Sequence, residues 1–97
     1  MVYKFYVTVK LTHTKEGHKI PTNILWEHED GEIEDFHVTV RDAQNKASTK
    51  GGGIGMRYEI AVMGKERMHI TYLFYDEIDD LWFVENKHAP DMGKPPY

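Results

Sequence analysis

Apolar and polar residues alternate strictly between residues 54 and 62. The apolar members of the series are Ile54, Met56, Tyr58, Ile60 and Val62, and the residues between them are Gly55, Arg57, Glu59 and Ala61. Successive side chains of a β-strand project to opposite faces. The alternation therefore predicts a strand with one buried face and one solvated face.

The same reasoning predicts five further strands. One begins at residue 24, and the other four cover residues 3–11, 36–41, 68–74 and 81–85. In the fifth strand of the chain, Met68, Ile70, Tyr72 and Phe74 are expected to face the core. Asp30-Gly31 and Gly64-Lys65 separate neighbouring strands, and both dipeptides favour tight turns. Strands 2 and 3 and strands 4 and 5 are therefore predicted to form hairpins.

Six strands with little helical periodicity predict an all-β fold, a small antiparallel meander. A flat sheet of this kind would expose two edges, so we expect an SH3-like barrel or a strongly bent sheet. A chain of 97 residues is long enough for one core. We expect a single β domain over residues 1–86, a flexible tail over 87–97 and, within the polar segment 42–53, room for a short helical turn at 43–47.

Several classes of site are disfavoured by the residues present. The chain has no cysteine, which excludes disulfides and thiolate metal sites. Its six histidines include no closely spaced pair on one element, so no metal or other cofactor is predicted, although His28 and His37 could meet across a hairpin. Ser48 lacks the context of an activated nucleophile, and the carboxylates cluster in turns, so the chain is not predicted to be an enzyme.

The sequence also bears on location. The first ten residues lack the apolar core of a secretory signal, and no stretch approaches the roughly 18 apolar residues of a membrane span. We therefore expect a cytoplasmic protein with no membrane partner.

Charge is segregated along the chain, whose formal net charge is −4. Residues 27–35 contain six acids and no Lys or Arg, whereas bases prevail over residues 41–67. A glycine-rich loop lies within the basic region and could direct backbone N–H groups at an anion. The candidate anion or nucleic-acid site comprises Arg41, Lys50, Gly51, Gly52, Gly53, Arg57 and Arg67. A sharp reversal of the chain and a solvated charged face are the simpler explanations of the same residues.

The last two strands are apolar on both faces, which is typical of a strand that is covered on both sides or meets a partner. The residues predicted to contact another protein are Leu73, Tyr75, Leu81 and Phe83. The leading hypothesis is a non-enzymatic protein-interaction domain that binds a protein partner or forms a homodimer. The alternative is nucleic-acid or phosphate binding through the glycine-rich loop and its basic neighbours.

Three groups of residues carry a resemblance to known proteins. They are the segment Ile20–Trp26, the segment 47–58, and the pair Tyr72-Leu73-Phe74-Tyr75 with Trp82-Phe83-Val84-Glu85. In this order they resemble a group of short bacterial proteins of Firmicutes type for which no activity is established. The resemblance covers most of residues 3–85 and implies a bacterial, cytoplasmic setting but no chemistry.

Overall fold

A computed structural model of the protein describes residues 4–46, 55–64 and 67–85, and these residues form an all-β structure. The strands are β1 (Phe5–His13), β2 (Lys19–Glu27), β3 (Ile33–Lys46), β4 (Gly55–Met63), β5 (Met68–Asp76) and β6 (Leu81–Val84). Each strand pairs antiparallel with the next, and β6 pairs with β1, so the sheet closes into a barrel of consecutive strand order. The predicted six-stranded antiparallel fold is confirmed. The described residues contain no helix long and apolar enough to span a membrane.

Two strands change partners along their length and thereby close the barrel. The first residues of β1, Phe5–Val7, pair with β6, and residues 8–13 pair with β2. Similarly, residues 33–37 of β3 pair with β2, and residues 38–46 pair with β4. The β1–β2 ladder shifts register between Lys10 and Leu11, where Thr22 of β2 is the extra residue, and the β3–β4 ladder shifts between Val40 and Asp42, where Arg41 of β3 is the extra residue. Such irregularities bend a strand and increase its twist, which allows a small sheet to curl onto itself.

The barrel interior is filled by apolar side chains from every strand. Its most buried members are Ile24, Phe36, Val38, Tyr58, Ile60, Val62, Leu73, Tyr75, Trp82 and Val84. The inward series predicted for β4 is confirmed, since Tyr58, Ile60 and Val62 are in this core and Met56 packs against it. Residue 54, the first member of that series, lies outside the described residues.

The prediction for the inward face of β5 is wrong. Tyr58 of β4 lies opposite Leu73, and Met56 lies opposite Tyr75. Leu73 is fully buried in the core, whereas Met68 and Tyr72 are 44% and 42% exposed. Directly opposed residues share a face of a sheet. The odd-numbered residues of β5 therefore face the interior, and the even-numbered residues face outward.

A small aromatic cluster on the outer surface explains why the last two strands are apolar on both faces. The rings of Phe74 and Phe83 are stacked, with centroids 5.2 Å apart and an interplanar angle of 9°. Tyr6 meets Phe83 edge-on at 6.0 Å, and the Lys4 ammonium lies 4.9 Å from the centroid of the Phe83 ring. Phe83 is fully buried. Thus, the outer apolar positions of β5 and β6 pack against each other and against β1.

The turn chemistry agrees with the sequence at the β2–β3 hairpin. Gly31 has a φ of 86°, as a tight turn at Asp30-Gly31 requires. The His28 N–H donates to the Glu32 carbonyl at 2.8 Å. The helical turn considered at 43–47 is not found over its described residues, because β3 continues as a strand to Lys46. There Ala43 lies opposite Tyr58 of β4.

Gly55 is predicted to be essential for the pairing of β4 with β5. A Cβ atom added there would overlap the backbone carbonyl oxygen of Tyr75. We expect Gly55→Ala to lower the free energy of unfolding by about 3 kcal/mol, because two hydrogen-bonded strands must move apart to accommodate the methyl group. Denaturant unfolding monitored by circular dichroism would measure this loss.

Gly17→Ala is the matched control. Gly17 has a φ of 85° but no atom near the position of the added Cβ. Only backbone strain of about 1–2 kcal/mol is expected. Equal losses in the two variants would contradict the steric explanation for Gly55.

Candidate functional site

A cavity of about 570 Å³ lies at one mouth of the barrel. Its apolar walls come from the start of β2, the end of β3, the start of β4 and the end of β5: Ile20, Ala43, Met56, Tyr58 and Tyr75. Its polar rim is formed by Gly17, His18, Lys19 and Glu77. A cavity of this size, with apolar walls and a few polar groups, is typical of a binding site.

The β1–β2 turn holds one side of the rim in place. The Thr14 N–H donates to the His18 carbonyl at 3.0 Å, and the His18 N–H donates to the Thr14 hydroxyl oxygen at 3.1 Å. Gly17 supplies the positive φ that the reversal needs. His18 and Lys19 are thereby placed at the edge of the cavity.

The β5–β6 turn forms the opposite side of the rim. Asp76 is only 5% exposed, and its Oδ1 atom accepts hydrogen bonds from the N–H groups of Ile78 and Asp79 at 2.9 and 3.3 Å. In the turn, these two N–H groups have no neighbouring strand to bond, and the Asp76 carboxylate takes the place of a backbone carbonyl as their acceptor. The turn therefore presents Glu77 to the cavity and brings Asp80 back towards β5.

Two tyrosine hydroxyl groups join the cavity walls to these turns. The Tyr58 hydroxyl donates to the Lys19 carbonyl at 2.9 Å, and the Tyr75 hydroxyl donates to Asp80 Oδ1 at 2.6 Å. Burial raises the pKa of Tyr58 above its ordinary value. The hydrogen bond to Asp80, together with burial, raises the pKa of Tyr75 to about 12. Both side chains are therefore neutral hydrogen-bond donors at pH 7.

The rim also contains a cation in contact with an aromatic wall. The Lys19 ammonium lies 5.1 Å from the centroid of the Tyr75 ring, within the range of a cation–π interaction. Behind the wall, the Trp82 ring lies 4.7 Å from that of Tyr75 and 5.5 Å from that of Tyr58. The aromatic wall is thus rigidly supported from the core, while Lys19 and the exposed Glu77 place charges of both signs at the entrance.

The residues predicted to bind an anion are only partly brought together. Arg41 lies 3.5 Å from the carboxylate of Glu59, and Arg57 donates to the Gln44 side-chain oxygen at 2.7 Å and stacks on Tyr72. Because Tyr72 also donates to Glu59 at 3.4 Å, Arg41 and Arg57 belong to one outer network that includes an acid.

Arg67 lies apart from that network. It precedes the first residue of β5, seven residues before Phe74, which pairs with Arg57. That separation is about 23 Å along the strand. The remaining candidates, Lys50, Gly51, Gly52 and Gly53, lie outside the described residues.

The residues predicted to contact a protein partner are mostly inaccessible. Leu73 and Phe83 are fully buried, and Tyr75 is 6% exposed, whereas Leu81 is 43% exposed. Leu73 and Tyr75 face the barrel interior, and Phe83 is covered in the outer aromatic cluster. Of these four side chains, only Leu81 can reach a partner in this structure.

No metal centre is found in the part of the chain that the structure describes, where no group of three His, Asp or Glu side chains converges. His28 and His37 do not meet across the hairpin, because His37 lies opposite Asn23 and the His28 ring is hydrogen-bonded to Glu34 at 2.8 Å.

Comparison of the chain with protein-family models, curated proteins and solved structures found no match. Sequence reasoning missed the cavity, and it included Tyr75 only as a surface residue. One sequence signal of the cavity was present. Tyr58 and Tyr75 face the barrel interior, and a buried tyrosine hydroxyl needs a hydrogen-bond partner. Such partners are found more readily near the end of a barrel, where turns lie close by.

The Tyr75–Asp80 hydrogen bond is predicted to make the protein sensitive to alkaline pH. The pKa of Tyr75 is raised from 10.0 to about 12. The stabilisation that the protonated Tyr75 hydroxyl gives the folded protein is therefore complete below pH 10 and is lost as the pH rises towards 12. Denaturant unfolding at a series of pH values should therefore show a steep loss of stability in this window.

Tyr75→Phe should make that loss shallower and should lower stability near pH 7 by about 1 kcal/mol through the lost hydrogen bond. Tyr6→Phe is the control, because Tyr6 is 56% exposed. An unchanged alkaline profile in Tyr75→Phe would show that another group determines it.

Proposed function

We propose that this barrel is a protein-interaction domain whose open mouth receives an apolar side chain of a partner protein. The observation that carries the proposal is the 570 Å³ cavity with apolar walls and a charged rim. Burial of one anchor side chain in a preformed pocket is a common source of affinity in protein interfaces. The charges at the entrance would fix the orientation of the segment that carries the anchor.

The surroundings of the mouth support a protein ligand over an isolated small molecule. The β5–β6 turn, which supplies Glu77 to the rim, also carries the exposed Ile78, and exposed Leu81 follows at the start of β6; their exposures are 66% and 43%. Exposed apolar side chains beside a pocket extend the area available to a partner. Lys19 and Glu77 can contact polar groups on either side of the anchor residue.

The chemistry of the walls supports binding over catalysis. Five titratable side chains line the cavity: His18, Lys19 and Glu77 at its rim, and Tyr58 and Tyr75 in its walls. The two tyrosines have raised pKa values and already donate their hydroxyl protons within the protein. A general base must be deprotonated near the working pH. These hydroxyl groups support the shape of the cavity and are poorly suited to accept a proton.

The other hypotheses from the sequence stay predictions. Nucleic-acid binding has less support, since Arg41 and Arg57 are engaged with Glu59, Gln44 and Tyr72. Homodimer formation, a relationship to SH3-like barrels, a bacterial origin and a cytoplasmic location also remain predictions. Of these, dimer formation is directly measurable, since a dimer would have twice the 11.4 kDa mass of the chain in solution.

Ala43→Trp tests the proposed function. Ala43 is exposed, lines the cavity and lies opposite Tyr58, so an indole group at this position would occupy the mouth. Peptides selected on the wild-type protein from a displayed random library should share an apolar anchor residue. They should bind Ala43→Trp at least about tenfold more weakly, as measured by isothermal titration calorimetry.

Thr39→Trp is the matched control, because Thr39 is an exposed residue of the same strand but lies opposite Ala61 on the outer face. Circular dichroism should show that both variants are folded. The proposal is overturned if selected peptides bind Ala43→Trp as tightly as Thr39→Trp, or if the selection yields no peptide with an apolar anchor.

A further inference from the structure

A second cavity, of about 370 Å³, opens between β1 and β2 and is distinct from the barrel mouth. It is lined by residues 5–8 of β1 and 25–27 of β2. The last pair that joins these strands is Thr8 with Leu25. Beyond it β1 turns towards β6 while β2 continues beside β3, so the two strands diverge and leave a groove.

The β2 side of this groove presents an unused strand edge. The His28 N–H donates to Glu32 across the β2–β3 hairpin. Hydrogen-bonded and non-hydrogen-bonded pairs alternate in an antiparallel ladder, so the next bonded pair is Trp26 with Glu34. The N–H and C=O groups of Glu27 consequently point towards the groove, where no described strand pairs with them.

The groove is flanked by uncompensated negative charge. Residues 27–35, at the turn end of the β2–β3 hairpin, contain six carboxylates, of which Asp35 is paired with Lys10 at 3.0 Å and Glu34 with His28 at 2.8 Å. The remaining four, Glu27, Glu29, Asp30 and Glu32, are exposed and form no salt bridge within the described part of the chain. A basic partner would find complementary charge along this edge.

The side chains of the groove add an apolar floor to this edge. Val7 and Trp26 face the barrel interior but are only half-buried, whereas Glu27 and the residue opposite it, the 62% exposed Ile33, lie on the outer face. An extended segment that alternates apolar and basic residues would direct one set of side chains onto this floor and the other towards the carboxylates.

We infer that the groove between β1 and β2 binds an extended basic segment of a partner protein, which adds a strand to the Glu27 edge of β2. The inference shares with the proposed function only the class of partner, a polypeptide, and uses a different site. Main-chain hydrogen bonds to Glu27 supply the pairing, and the charge of the hairpin selects basic over acidic segments.

The test uses a fluorescein-labelled Lys-Val-Lys-Val-Lys peptide and fluorescence anisotropy at low ionic strength. We expect saturable binding that is at least about tenfold tighter than binding of Glu-Val-Glu-Val-Glu. A Lys-Val-Lys-Val-Lys peptide with every peptide nitrogen methylated keeps its charge but loses all its backbone donors, and we expect it to bind at least about tenfold more weakly than the parent peptide.

Two charge-reversal variants separate the groove from general electrostatic attraction. Glu27→Lys and Glu16→Lys change the net charge equally, and both residues are exposed, but Glu16 lies in the β1–β2 turn at the far end of β1. Glu27→Lys should weaken binding of the basic peptide at least about tenfold more than Glu16→Lys does. Circular dichroism should show an unchanged β spectrum for both.

Three results would overturn the inference: no saturable binding up to about 1 mM peptide, equal effects of the two variants, or undiminished binding of the N-methylated peptide. Ala43→Trp, which occupies the barrel mouth, should leave binding of the basic peptide unchanged. Loss of that binding in Ala43→Trp would place the peptide at the mouth and also contradict the inference. Failure of the proposed function at the mouth and failure of the groove are therefore distinguishable.

Discussion

The structure depends on the double pairing of β1. The strand begins against β6 and ends against β2, so a single segment of nine residues joins the last strand of the described residues to the second one. This closure pairs the two outer strands, β1 and β6, whose edges a flat meander would present to other chains, and leaves the short Glu27 edge of β2 open. Closure also requires the sheet to curl, and the register shifts in the β1–β2 and β3–β4 ladders supply irregularities at which it can bend.

Closure determines which side chains become core, and here the sequence was informative only in part. Alternation predicted the inward face of β4 correctly, because its outward positions carry polar or small residues. In β5, both faces are apolar, and the larger side chains at 68, 70, 72 and 74 suggested the wrong face. The hairpin itself contained the answer. In a hairpin whose loop has an even number of residues, every even-numbered residue lies opposite an odd-numbered one. The β4–β5 hairpin is of this kind, so Tyr58, which faces inward, lies opposite an odd-numbered residue, Leu73, which must face inward too.

The outer aromatic cluster and the cavity could not be predicted from periodicity, because both depend on distant elements that meet only after closure. Phe83 is buried on the outside of the barrel since Tyr6, from the other end of the sequence, lies beside it. The acidic hairpin, by contrast, was visible as a charge run. What the run could not show is that the Lys10 ammonium and the Asn23 amide both hydrogen-bond Asp35 and hold the pKa of its carboxyl below the ordinary value.

The two cavities are different consequences of the same strand geometry. The mouth lies where the β1–β2 turn faces the β5–β6 turn, and the groove lies where β1 leaves β2 for β6. Five residues of β1, from Val9 to His13, separate the end of the groove from that turn, a distance of about 17 Å. The mouth offers a pocket for one side chain, since its tyrosine hydroxyl groups are used within the protein. The groove instead offers main-chain groups, because β2 has lost β1 as a neighbour there. A partner that occupies one opening would leave the hydrogen bonds of the other unchanged, so binding at the two sites should be additive.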